Sequence, residues 1–230
     1  MILTILYMFF CKETNTRIDA KIKLIGDVVP TYLKLLRDPH FISSVIISGI
    51  GMSAMILYVT ISPFLLQTQF QLTPIQYGWV TSLVGIGIIL GRFTNGFISN
   101  KVGNFISLKY STILLFFSGS LILISIAVNS LNIFMLMFSV LIALYAQVSM
   151  RSNSMYIALL PHTKVRGSAG YLFACGEHLA AFFRGSIISL ISFIGVGRLG
   201  FLYLLFAALA YYILVKYMNC IPSARSKITI

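Results

Sequence analysis

The chain has 230 residues, 58% of them hydrophobic and only 10% charged, with a mean hydropathy of +0.94. A soluble domain carries about 25% charged residues, and a water-soluble protein of this length cannot hide so much apolar surface, so lipid is the solvent for most of the chain. The formal net charge of +12 comes without a basic stripe interleaved with aromatics, which argues against nucleic acid as a partner.

Residues 1–10, MILTILYMFF, are apolar and stop at Lys12. Ten residues at about 1.5 Å each do not cross a bilayer core of roughly 30 Å. No basic segment precedes the run and no small-residue cleavage site follows it, so a signal peptide is disfavoured. Residues 1–11 read as part of a transmembrane helix. Residues 12–40 form the one long polar stretch, with six Lys or Arg. Within it, VVPTYLKLLRD places apolar and basic residues at helical spacing, which predicts a cytoplasmic linker with an amphipathic helix on the membrane surface.

Six apolar spans follow, at about residues 41–67, 76–99, 105–128, 131–160, 167–194 and 199–218. Each is long enough to cross a membrane. The expected fold is therefore an all-α membrane protein with a six-helix transmembrane bundle, 41–218, followed by a tail, 219–230. The connections alternate in charge. The linker, the turn with Lys101, the turn with Lys164 and Arg166, and the tail are basic; the turns between them are nearly neutral. By the positive-inside rule, the basic connections and the C-terminus of this multi-pass protein face the cytoplasm.

Small residues recur in the second span, with Gly87 and Gly91 four apart, a spacing that lets helix backbones approach. Pro63 in the first span frees a carbonyl and bends the helix where neighbours or a cavity satisfy the freed group. Cys11, Cys175 and Cys220 are an odd, widely spaced set without a CxxC pattern, and read as packing residues.

The costly residues are the ionisable ones at membrane depth. In ACGEHLAAFFRG, residues 174–185, Glu177, His178 and Arg184 sit in an apolar run. Counted outward from the turn PHTKVR, Arg151 and Glu177 lie at nearly the same depth on neighbouring helices. An interhelical ion pair is expected between them, or one polar cluster that also holds Asn153. Glu177 then either titrates during proton-coupled transport, with Arg151 modulating it, or belongs to a structural pair that fixes helix packing. His178 points about 100° away from Glu177 and reads as a satisfied interfacial histidine; no metal set accompanies it. No Walker-type loop, G-x-S-x-G elbow or H-E-x-x-H motif is present, so neither enzyme chemistry nor a cofactor is expected.

Three stretches carry a resemblance. YVTISPFLLQ (58–67) followed by FQLTPIQYGW (70–79), GRFTNGFISNKVG (91–103), and NSMYIALLPHTKVRGSAGYLFACGE (153–177) resemble the C-terminal half of a major facilitator superfamily transporter, in particular the Bcr/CflA drug-resistance efflux family. Lys12-Glu13-Thr14 resembles the end of that fold's sixth helix, so the resemblance spans nearly the whole chain. The second stretch departs from the family's loop signature: Asn95 or Asn100 stands in place of an acid and Lys101 in place of an arginine. Glu177-His178 stands where an uncharged residue is usual. The resemblance implies export of drugs or small metabolites in exchange for protons, by rocking two six-helix halves around a central site. It implies a partner, either a missing N-terminal half or a second copy. The expected substrate and proton pathway comprises Tyr58, Ser62, Gln67, Arg151, Asn153 and Glu177. The competing expectation is a truncated, transport-inactive remnant or a membrane-embedded interaction protein.

Overall fold

In a computed structural model, residues 24–189 and 195–218 are described. The expected partial helix at 1–11, the residues around 190–194, the tail 219–230 and the side chain of Arg184 lie outside the described part. The described chain is helical throughout, with no strand.

Helix α1, Leu24–Arg37, is the amphipathic helix expected in the linker. It places Leu35 against Phe41, Val45, Ala158, Ala169 and Phe173, while Val29, Leu33 and Leu36 stay exposed. Asp38 ends it and starts the next helix. Its backbone N–H donates to the Leu35 carbonyl (3.1 Å) and its side chain accepts from the His40 N–H (2.9 Å). That N-cap, with Pro39 at the first helical position, begins α2, Pro39–Phe64, two residues before the expected start of the span.

Pro63 lies inside α2 and cannot donate to the Val59 carbonyl. The Ser62 hydroxyl donates there instead, at 3.3 Å. Just beyond, Leu65–Gln69 widens into a π turn in which the Phe70 N–H reaches the Leu65 carbonyl. Helix α3, Pro74–Val102, opens with a capping box of Thr73 and Gln76. Gly103, at φ +87°, turns the chain directly into α4, Asn104–Ala127. Asn132 caps α5, Ile133–Leu159, by accepting from the Met135 N–H. A short 3-10 turn leads to α6, Arg166–Ser189, and the described chain closes with α7, Val196–Ile213, and a π turn at Leu214–Met218.

Five of these helices, α2 to α5 and α7, are long and apolar enough to cross a membrane. Helix α6 is not among them. It is 24 residues long, but Arg166, Glu177, His178 and several small residues dilute its apolar character. The chain is thus a membrane-embedded helical protein with five such helices among the described residues.

Helices α2, α5, α4 and α7 pack into a central four-helix core. Helix α4 meets α7 where Gly119 and Gly200 lie against one another; a Cβ on Gly119 would fall 2.8 Å from the Gly200 carbonyl. Helix α3 leans on α5 and α4 from outside. Gly87 and Gly91 make that contact: a Cβ on either would meet Leu141 or Tyr145, one turn apart on α5. Gly85 and Gly96 face open space. Helix α6 packs chiefly on α2 through the stripe Ala169, Phe173, Glu177 and Ala181. Both outer helices keep large apolar side chains exposed, including Trp79, Phe93 and Phe97 on α3 and Phe182 and Phe183 on α6.

Candidate functional site

The start of α2 and the α5–α6 turn meet at one end of the bundle, where the Asp38 carboxylate pairs with His162 at 3.0 Å. Roughly 12–17 Å in from that end, at about 1.5 Å per residue, three helices converge on one carboxylate. Arg151 of α5 donates from Nε to Glu177 Oε1 at 2.7 Å, and Ser48 of α2 donates to Glu177 Oε2 at 2.6 Å. Glu177 is fully buried, whereas the Arg151 side chain is 38% exposed. The ion pair expected from residue counting is present. Ser48 is an addition. A serine in an apolar helix usually returns its hydroxyl to its own backbone, as Ser44 and Ser53 do, and nothing in the sequence marks Ser48 as different.

Gly51 lies one turn from Ser48 and lets α5 approach at Gln147, whose Cα would sit 3.4 Å from an added Cβ. Close backbone contact at that level brings Arg151 within reach of α6. His178 is exposed; its Nδ1 bonds the Ala174 carbonyl at 2.7 Å and lies 3.8 Å from Glu177 Oε1. Because a carbonyl only accepts, Nδ1 carries the proton. Its own-helix bond fits the expected satisfied histidine. Groups of three or more potential metal ligands are absent among the described residues.

Asn153 does not join this site. It projects from the opposite face of α5 into a second polar cluster. There Asn95 Oδ1 of α3 accepts from Ser107 of α4 (3.2 Å), Ser149 (2.6 Å) and Asn153 Nδ2 (3.2 Å) of α5. Ser111 donates to Ser149 at 2.5 Å. These bonds clamp α3, α4 and α5 together, the membrane counterpart of a polar core. The physical reason for the separation is rotation: residues 151 and 153 are about 200° apart around a helix.

The remaining expected residues lie further along α2. Tyr58 is buried, and its hydroxyl has no hydrogen-bond partner in the described structure. The Ser62 and Tyr77 hydroxyls are 3.2 Å apart. Gln67 is half-buried in the π turn, roughly 28 Å of helix from Ser48. A separate groove of about 480 Å³ opens between α4 and α7, lined by Thr112, Phe116, Tyr211 and Tyr212 among others. None of the six expected pathway residues lines it.

The chemistry available is narrow. Beyond residue 40, Glu177 is the one carboxylate side chain in the sequence, so any proton carried on an acid within the bundle sits there. Compared with known proteins, the chain matches no family model, no curated protein and no solved structure.

Proposed function

We propose that this chain is one lobe of a secondary active transporter of the major facilitator type, resembling the Bcr/CflA efflux proteins, which exports drugs or small metabolites in exchange for protons. The observation that carries the reading is Glu177: a fully buried carboxylate held by Arg151 and Ser48 from two other helices. Ionisable side chains at membrane depth are expensive and mark ion or proton pathways. Transfer of a proton onto Glu177 weakens the pair and frees α6 to move against α5.

In this reading α6 is the sixth span. At about 1.5 Å per residue its 24 residues are long enough, and its reduced apolarity suits a helix that borders a water-filled cavity rather than lipid. The exposed apolar faces of α3 and α6 then pack against a partner lobe, either a separate half or a second copy. The protein sits in the inner membrane with its basic connections and C-terminus in the cytoplasm, and no enzymatic step is involved.

The test is proton-driven efflux of a fluorescent substrate from cells or vesicles containing the chain with its partner lobe. Parent protein should export along the proton gradient and Glu177→Gln should lose the dependence on that gradient. Equal proton-driven export by both removes Glu177 from the coupling.

A further inference from the structure

Helix α5 carries polar groups on two opposed faces. Ser149 and Asn153 look into the cluster shared with α3 and α4. Gln147, Arg151 and Ser154 follow at spacings of four and three, so they share the other face. That second face is undersatisfied. The Arg151 guanidinium makes one hydrogen bond, from Nε, and both of its Nη groups lack a protein acceptor in the described structure. Gln147, one turn away, is only 4% exposed, and the Ser154 hydroxyl is buried without a partner.

We infer that the outward edge of Arg151, supported by Gln147, is a subsite for an anionic ligand group, a carboxylate or a phosphate. The two Nη groups of a guanidinium present parallel N–H bonds that match two oxygens of such a group. The Nε bond to Glu177 and the close approach of α5 to α2 at Gly51 hold the guanidinium in place before the ligand arrives. A cationic ligand has no equivalent anchor, because Glu177 is fully buried with one oxygen turned to Arg151 and the other to Ser48. His178, exposed beside the pair, adds no negative charge. Taken with the transporter reading, on which this last step rests, the cargo is an organic or phosphorylated acid.

The experiment measures equilibrium binding to the full chain in lipid nanodiscs. Succinate and inorganic phosphate are titrated calorimetrically in phosphatidylcholine discs. In a second arm, phosphatidylglycerol retained by the chain from mixed discs is counted by mass spectrometry. Succinate or phosphate should bind saturably. Glu177→Gln removes the competing negative charge and should bind about tenfold tighter. Arg151→Gln/Glu177→Gln, which leaves no buried charge unpaired, should bind about a hundredfold more weakly or not at all.

Retention of phosphatidylglycerol that depends on Arg151, without binding of either soluble anion, upholds the subsite but assigns it to a lipid headgroup and overturns the acid as cargo. Absence of both kinds of binding, or equal binding by the double variant, overturns the subsite. A chain that transports but binds no anion defeats this inference alone. One that binds succinate and transports nothing defeats the transporter reading alone.

Discussion

Glu177 is held by one charged and one hydroxyl donor, and the two contribute unequally. Removing Arg151 strands a carboxylate in a fully buried position. Breaking a wholly buried pair costs about 3–5 kcal/mol; the partial exposure of the guanidinium reduces this, so Arg151→Ala should destabilise the fold by about 2–4 kcal/mol. Ser48→Ala removes one interhelical hydrogen bond, for which about 0.6–1.7 kcal/mol is typical in a membrane. Unfolding of purified protein in mixed micelles measures both, and equal losses would show that the charge on Arg151 contributes nothing special. The depth match of Arg151 and Glu177 is readable by counting residues from a shared turn, because rise per residue is fixed. The same counting misplaces Asn153, because depth says nothing about rotation: at nearly the same level it faces Asn95, 58 residues away in the chain, across the other side of α5.

Helix contacts in lipid rest on close packing, since no hydrophobic drive brings helices together there. The glycines separate into those that make contacts and those that do not. A methyl group on Gly119 would press on the Gly200 carbonyl and the Leu204 amide, backbone atoms that cannot swing aside. Gly119→Ala should therefore cost about 1–3 kcal/mol through overpacking. Gly85 faces open space, and Gly85→Ala should be neutral or stabilising by up to about 1 kcal/mol through helix propensity. Thermal melts of the two variants beside the parent check the contrast. The spacing of Gly87 and Gly91 makes their contact legible within one span. The Gly119–Gly200 contact joins single glycines of two distant helices, and no periodicity in either announces it. Hydropathy locates the helices well, yet it reads composition rather than surroundings. It therefore marks α6 as less apolar than the other long helices but does not show that its buried stripe includes a carboxylate.

For the molecule as a whole, charge distribution makes a sharper claim than fold. Lys101 lies at the turn between α3 and α4, on the end marked by Asp38 and His162, and Ser130 lies in the neutral turn between α4 and α5. With Cys11, Cys175 and Cys220 all replaced by serine as background, an impermeant maleimide added outside intact cells should label Ser130→Cys and spare Lys101→Cys. The reverse pattern would invert the proposed orientation, and with it the direction from which Arg151 and Glu177 are reached. The general architecture of helices in a membrane follows directly from composition. The division into a four-helix core with α3 and α6 outside does not, because it depends on which faces meet rather than on how greasy each segment is.

Asp38 holds two jobs in one side chain: Oδ1 starts α2 and Oδ2 grips His162, 124 residues later. The linker is consequently bolted to the far hairpin at the very point where its neighbouring helix begins. Any tug on the segment ahead of Pro39 arrives at the α5–α6 elbow without slack. An asparagine there would keep the helix start while loosening the bolt, which makes Asp38 the place where the linker can be mechanically uncoupled from the bundle without unwinding either.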